Sequence, residues 1–248
     1  MKKFGLIGHP IAHSLSPALF KAGYDGIYPY DLIEEESFDA AYSRFIDGYD
    51  GINVTAPFKE AAYARADILS EECRLIRATN LMVKTPEGVK AYNSDYLGVR
   101  KWILEQIEGS RSEIQTALVV GLGGAGKAAA AAAASLGLKT TIINRTRSKA
   151  EEWADSQNIY RFRIKSIEDF AEEFRSNEVI IYTLPVAIPE IDQLDSKEIE
   201  GKEALLEANY KNPVLRKNGR IWLLYQAVTG YELFTGTGPN FSRMADVL

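Results

Sequence analysis

Short apolar runs alternate with stretches of helical period along most of the chain. Phe4–Ile7 reads as a strand, Pro17–Ala22 as a helix, Ile27–Leu32 as a strand and Ser37–Ile46 as a helix. A strand at Gly51–Thr55 follows, then one long helix from Pro57 to about Leu75. Leu81–Lys84 and Val89–Tyr92, separated by Pro86-Glu87-Gly88, have the pattern of a hairpin. From Asp95 a helix with apolar positions at Leu97, Val99, Trp102, Ile103 and Ile107 runs to about Ile107. After the polar stretch Glu108–Gln115 the rhythm restarts: strand 117–120, helix 125–136, strand 140–143, helix 147–156. Further strands are expected near Tyr160–Ile164, Val179–Leu184 and Ala204–Ala208, and helices around Trp222–Leu233 and Ser242–Leu248.

Strands alternating with helices imply parallel pairing with helices on the faces, hence an α/β fold. The break near residue 98 divides the chain into two α/β domains, and the pattern alone leaves the last helices free to pack on either. Residues 128–134 are seven consecutive alanines. Alanine is the strongest helix former, so this run predicts a helix packed closely against something flat.

Composition narrows the function. The 248 residues carry 29 basic and 34 acidic side chains, a net charge of −5, which gives no electrostatic reason to expect nucleic acid or an anionic membrane as partner. Cys73 is the single cysteine and His9 and His13 are the two histidines. Intrachain disulfides and a cysteine metal cage are therefore excluded. The N-terminal apolar run breaks at Gly8-His9-Pro10, too short for a signal peptide, and no clean apolar span approaches about 20 residues. A soluble, cytoplasmic protein is expected.

The sharpest local signal is Thr116-Ala-Leu-Val-Val-Gly121-Leu-Gly123-Gly124-Ala125-Gly126-Lys127. Glycines 121, 123 and 126 stand in G-x-G-x-x-G spacing between a strand and a helix, the dinucleotide-binding arrangement. The first glycine turns the chain, the second lets a pyrophosphate approach the backbone, and the third lets helix and strand pack. Free N–H groups at the helix N-terminus then face the phosphates. A tight strand-to-helix turn that binds nothing is the plainer alternative. An NAD site places an acid about 20 residues on; here Asn144 stands 21 residues after Gly123, followed by Arg145, Thr146, Arg147 and Lys149. A guanidinium binds a 2′-phosphate that a carboxylate would repel, so NADP(H) is expected, unless Arg145 and Lys149 are simply a solvated helix start.

Three polar stretches of the first half lie after apolar strands, where open α/β sheets bind ligands. They are Ser14-Leu15-Ser16-Pro17, Asn53-Val-Thr55-Ala-Pro57-Phe-Lys59 and Asn93-Ser94-Asp95. Pro57 suits the first turn of the helix after it, and Ser16, Thr55 and Asp95 also suit plain helix N-caps. Lys59 in a first turn opposes the helix dipole, which costs stability; a lysine so placed is either exposed and unimportant or a proton donor, and Asp95 is the natural aspartate to hold it oriented. The two histidines flank Pro10 and read as structural. Trp102 and Trp222 read as core.

Taken in order, Ser14-Leu-Ser16, Asn53-Val-Thr55-Ala-Pro57-Phe-Lys59, Asn80, Asn93-Ser-Asp95, Gly121–Gly126, Asn144-Arg-Thr146, Tyr210 and Gln226 resemble the shikimate dehydrogenase family. The resemblance spans nearly the whole chain. It implies an N-terminal α/β substrate domain, 1–97 with 222–248, plus an NADP-binding Rossmann domain, 98–221. It implies reversible NADPH-dependent reduction of 3-dehydroshikimate to shikimate, a step of aromatic amino-acid and chorismate biosynthesis, by a monomer or homodimer. Ser14, Ser16 and Thr55 would hold the carboxylate end of the substrate. Lys59, Asn80, Asp95 and Gln226 would hold the ring hydroxyls, with Tyr210 completing the pocket and Lys59 with Asp95 relaying the proton. Gly121, Gly123, Gly124, Ala125, Gly126, Asn144, Arg145, Thr146 and Lys149 would hold the cofactor. Two segments depart from the family pattern. Tyr182-Thr183-Leu184-Pro185 stands where Asn-Ala-Thr is usual, and Gly219-Arg-Ile221-Trp222-Leu223 where Gly-x-Gly-Met-Leu is usual. A quinate/shikimate dehydrogenase, a shikimate-binding regulatory protein and a folate-linked dehydrogenase are the rival expectations. The missing acid after the second Rossmann strand, the retained Lys59 and Asp95, and the Ser-x-Ser stretch argue against them in turn.

Overall fold

A computed structural model describes residues 1–209, 212–215 and 219–248. The chain runs β1 (Phe4–Gly8), α1 (Ser16–Gly23), β2 (Tyr30–Glu34), α2 (Phe38–Gly48), β3 (Gly51–Val54), α3 (Lys59–Arg65), β4 (Ile68–Leu69) and α4 (Glu71–Ile76). It continues with β5 (Leu81–Thr85), β6 (Gly88–Tyr92), α5 (Ser94–Gly109), β7 (Thr116–Val120), α6 (Gly124–Ser135), β8 (Lys139–Ile143) and α7 (Arg147–Asp155). Then come β9 (Phe162–Lys165), α8 (Phe170–Ser176), β10 (Val179–Tyr182), α9 (Ser196–Glu200), β11 (Leu205–Glu207), α10 (Arg220–Thr235) and α11 (Phe241–Ala245). The chain divides into two units, Met1–Gly98 with Leu224–Leu248, and Val99–Leu223.

The first unit is built on a six-stranded sheet in the order β2-β1-β3-β5-β6-β4. β1 is buried at all five positions, as a central strand covered on both faces must be. Successive side chains of β1 serve opposite faces. Ile7 joins Ile33, Ile52, Val54, Ala41 and Phe45 in one core cluster. Phe4 instead stacks on Phe234 of α10 at 5.0 Å and meets Phe20 of α1 at 5.4 Å. From Leu224 on, helix α10 is thus part of the first unit's core. β1 pairs in parallel with β2 and β3, but β5 runs antiparallel to both β3 and β6, so the sheet is mixed.

The second unit carries five strands in the order β11-β10-β7-β8-β9, all in parallel register. Alanines 128–133 of α6 are completely buried and the helix packs on β7, β8 and β10. Methyl groups let a helix sit this close to a sheet without a gap.

Two elements differ from the sequence expectation. The single helix from Pro57 to Leu75 is instead α3, β4 and α4. Ala66 is extended, the Asp67 N–H donates to the Val89 carbonyl while the Asp67 carboxylate accepts the Val89 N–H, and Ser70 N–H donates to the Ala91 carbonyl. The open edge of β6 offers this segment a ladder, and that pairing overrides its helical period. Pro57 consequently precedes α3 by two residues rather than lying in its first turn. The second strand begins at Tyr30 rather than Ile27, because Gly26 turns with positive φ and Ile27 projects into solvent.

Candidate functional site

Strand direction brings the polar segments of the first unit to one edge. β1, β3 and β6 all point the same way, so the segments after them, Ser14–Ser16, Thr55–Lys59 and Asn93–Asp95, emerge at one end of the sheet. Asn80 immediately precedes the antiparallel β5 and therefore arrives at that same end.

Lys59 is the first residue of α3, and its Nζ donates to Asp95 Oδ2 at 3.0 Å. The lysine side chain keeps 36% of its surface exposed while the aspartate keeps 12%. Asp95 is not a helix cap. Asn93 fills that position instead. Its Oδ1 accepts the Tyr96 N–H at 3.1 Å and its Nδ2 donates to the Ala78 carbonyl at 3.2 Å. Glu72 accepts the Asn93 N–H at 3.2 Å and the Ser70 hydroxyl at 2.5 Å, anchoring the start of α5 from α4. The Thr79 N–H reaches the Lys59 carbonyl at 3.5 Å, tying the lysine to the Asn80 segment.

Asn80 is buried, and its Oδ1 accepts the Ser94 N–H at 2.7 Å. Ser94 Oγ lies 3.2 Å from Asn80 Oδ1 and 3.0 Å from Gln226 Oε1, so its one proton serves one of them at a time. With their oxygens turned to Ser94, the two amides keep their N–H groups as donors. Gln226 reaches Ser94 because α10 crosses α5 at Gly98, where a Cβ would stand 2.5 Å from the Gln226 nitrogen. Ser14 Oγ accepts the Ser16 N–H at 3.2 Å and lies 3.2 Å from Ser16 Oγ. Neither Ser16 nor Thr55 caps a helix: Leu15 and Phe58 hold the cap positions of α1 and α3. Thr55 is half-buried at the end of β3, with its N–H on the Ile7 carbonyl at 3.0 Å.

In the second unit the glycine loop runs from β7 into α6. Gly121 has φ of +94°, and a Cβ on Gly126 would stand 2.0 Å from the Gly121 carbonyl oxygen, so both positions require glycine. Gly123 and Gly124 are exposed, and a Cβ on either would meet nothing within 4 Å, an open backbone cradle at the start of a twelve-residue helix. Those features fit a dinucleotide pyrophosphate. Asn144 Oδ1 accepts the Leu122 N–H at 3.2 Å while its Nδ2 donates to the Thr146 carbonyl at 2.9 Å, bracing the loop against the end of β8. Arg145, Thr146 and Lys149 are exposed beside it, and Arg147 pairs with Glu151 at 2.7 Å.

His9 and His13 are exposed, with His9 Nδ1 3.6 Å from Glu34 Oε1. Among the described residues no cluster of histidine, cysteine and carboxylate suits a metal ion, and no helix is long and apolar enough to cross a membrane.

Comparison with known proteins decides what this constellation belongs to. Residues 6–82 match the shikimate dehydrogenase substrate binding domain, and residues 103–203 match the shikimate / quinate 5-dehydrogenase model. A shikimate dehydrogenase (NADP(+)) from Caldanaerobacter subterraneus subsp. tengcongensis is 33% identical over 95% of this chain and 92% of its own length. The chain belongs to the shikimate dehydrogenase family. A second relative of that name, from Halobacterium salinarum, is 32% identical over 100% of this chain and 98% of its own. The Thermus thermophilus shikimate 5-dehydrogenase, crystallised with NADP(H) and shikimate, superposes with a TM-score of 0.81 at 27% identity, covering 100% of this chain and 98% of that one.

The departures from the shikimate dehydrogenase pattern have visible consequences. Thr183 Oγ1 lies 2.9 Å from the Val120 carbonyl and 3.2 Å from that of Gly121. Leu184 packs where a Cβ on Gly121 would point. This loop therefore braces the glycine turn from β10. Tyr182 is wholly buried and gives its hydroxyl to the Val186 carbonyl at 2.7 Å. Ile221 is 40% exposed, whereas Trp102 and Trp222 are core. Tyr210 lies outside the described residues. Beyond its segment, the buried Glu207 accepts the N–H groups of Val214 and Leu215, and burial pushes its carboxyl above the usual range.

Sequence reading singled out the Asn93–Asp95 stretch but gave no separate role to Asn93 or Ser94, and it missed Glu72, Tyr30 and Tyr231. Apart from the local cap that Asn93 gives Tyr96, these residues act through contacts with others distant in the chain, for which spacing carries no signal.

Proposed function

We propose that this chain is an NADP-dependent shikimate dehydrogenase that reversibly reduces 3-dehydroshikimate to shikimate. The Lys59–Asp95 pair, 3.0 Å apart at the sheet edge that also carries Asn80 and the two serines, is the observation that carries the reading. In this reading Met1–Gly98 with Leu224–Leu248 is the substrate domain and Val99–Leu223 the dinucleotide domain. NADPH, when bound, supplies the hydride that reduces the ketone carbon. As the oxygen takes on negative charge, the Lys59 ammonium stabilises it and gives up one proton to it. Asp95 holds the amine in place, and the exposed part of Lys59 recovers a proton from water. In the oxidising direction the same groups take the proton back. Ser14, Ser16 and Thr55 hold the carboxylate, and the amides of Asn80 and Gln226 donate to ring oxygens.

Gly121–Gly126 would hold the pyrophosphate and Arg145 the 2′-phosphate, with Asn144, Thr146 and Lys149 beside it. A charge-assisted contact of this kind sets cofactor choice, so Arg145→Ala is expected to raise KM for NADP+ by roughly tenfold or more. KM for NAD+ should scarcely move, and an equal rise for both would remove Arg145 from the 2′-phosphate role. The enzyme is taken to be soluble and cytoplasmic, with small molecules as its partners.

The deciding assay is reduction of NADP+ by the purified protein with shikimate, run beside NAD+ and beside quinate. Turnover with shikimate and NADP+ exceeding both alternatives is the expected result. Preference for quinate would make it a quinate/shikimate enzyme, and calorimetric binding of shikimate without turnover would make it a regulatory protein.

A further inference from the structure

Behind the serine pair lies a group of aromatic rings, most of which serve only as packing. Phe4, Phe20 and Phe234 fill this part of the core, and the Tyr231 ring meets Phe20 edge-on at 4.8 Å. A phenylalanine at 231 would fill that space equally well, so the hydroxyl calls for a separate reason. Tyr231 is 1% exposed, and its hydroxyl donates to the Ser16 backbone carbonyl at 3.1 Å. The Tyr30 hydroxyl donates to Asn53 Oδ1 at 2.8 Å. The two phenol rings meet edge-on at 6.0 Å. Burial pushes both well above the usual tyrosine range, so each keeps its proton.

The consequence falls on Ser16. The Ser16 Oγ stands 3.2 Å from Ser14 Oγ, and accepting that proton leaves it free to turn its own outward to an anion. Chains of hydroxyls of this kind polarise toward such a charge. Tyr231 also stands five residues after Gln226 on α10, so its bond to the Ser16 carbonyl ties the two ends of the substrate site together. Holding donors in place before the ligand arrives lowers the cost of binding it.

We propose that Tyr231 is a positioning residue that, through its bond to the Ser16 carbonyl, sets Ser16 as a hydrogen-bond donor to the substrate's carboxylate, an inference that rests on the shikimate reading of this site. The test is Tyr231→Phe, which removes one oxygen. With NADP+ saturating, KM for shikimate is expected to rise roughly five- to tenfold while kcat stays within about twofold. Shikimate methyl ester, which lacks the anionic carboxylate, separates positioning from general damage; if it is not oxidised it serves as a competitive inhibitor. Its affinity is expected to change by less than about twofold in the variant. An unmoved KM for shikimate, or equal losses for acid and ester, overturns the proposal. If the wild type binds shikimate without turning it over, the dehydrogenase reading fails, and calorimetry on Tyr231→Phe still decides the role of the tyrosine. If the wild type does not bind shikimate, both fall together.

Discussion

Replacing Lys59 by alanine is expected to lower kcat for shikimate oxidation by roughly 10²- to 10⁴-fold, the usual worth of a positioned acid–base group. The same change should raise KM for shikimate only a fewfold. The asymmetry follows from when the lysine is needed. In the proposed ground state its ammonium is one of several donors near the substrate, with Asn80 and Gln226 assigned to the ring. In the transition state it is the group that meets the charge growing on the reacting oxygen. Asp95 alone cannot substitute, because a carboxylate beside an alkoxide repels it. Steady-state kinetics with saturating NADP+ give both constants. Equal losses in kcat/KM and in calorimetric affinity would mean that Lys59 binds and does not relay the proton.

The second large effect is expected at Gly126. An alanine Cβ there would stand 2.0 Å from the Gly121 carbonyl oxygen and 2.7 Å from its carbon, both backbone atoms that no side-chain rotation relieves. Gly121 in turn is held by its N–H on the Ile143 carbonyl at 2.7 Å and by Thr183 from β10. The helix must therefore move away from the strand, carrying the N–H groups of the cradle with it. Overpacking of this kind costs about 1–3 kcal/mol, so KM for NADP+ should rise roughly tenfold to a hundredfold in Gly126→Ala. Shikimate affinity by calorimetry should stay within about twofold, since none of the residues assigned to it touches this turn. NADP+ binding at the wild-type level in Gly126→Ala would mean that the glycine loop does not hold the cofactor.

What was legible in the sequence is what depends on neighbours along the chain. The glycine turn is one case: the strand, the turn and the helix lie within 20 residues of one another, and steric demands at positions 121 and 126 are local. The alanine run is another, since a helix with only methyl groups has few ways to be buried except flat against a sheet. The hairpin of β5 and β6 follows from alternation around Pro86-Glu87-Gly88, and Thr85 pairs with Gly88 across it.

What the tertiary structure alone decided begins where two distant segments compete for the same backbone. Residues 57–75 have a helical period, yet Ile68 and Leu69 pair with Lys90 and Ala91, because an open strand edge offers hydrogen bonds that a solvent-facing turn of helix cannot match. The site obeys the same rule. Asp95 belongs to Lys59 only because the reversal of β5 returns the chain to the edge it left, and Asn93, rather than the aspartate, satisfies the helix end. Ser94 finds Gln226, and Ser16 finds Tyr231, only because α10 returns to the first unit's core, across separations of 132 and 215 residues. Residue types and local geometry were written in the order of the amino acids; which of those residues became partners was settled by burying two ends of the chain in one core.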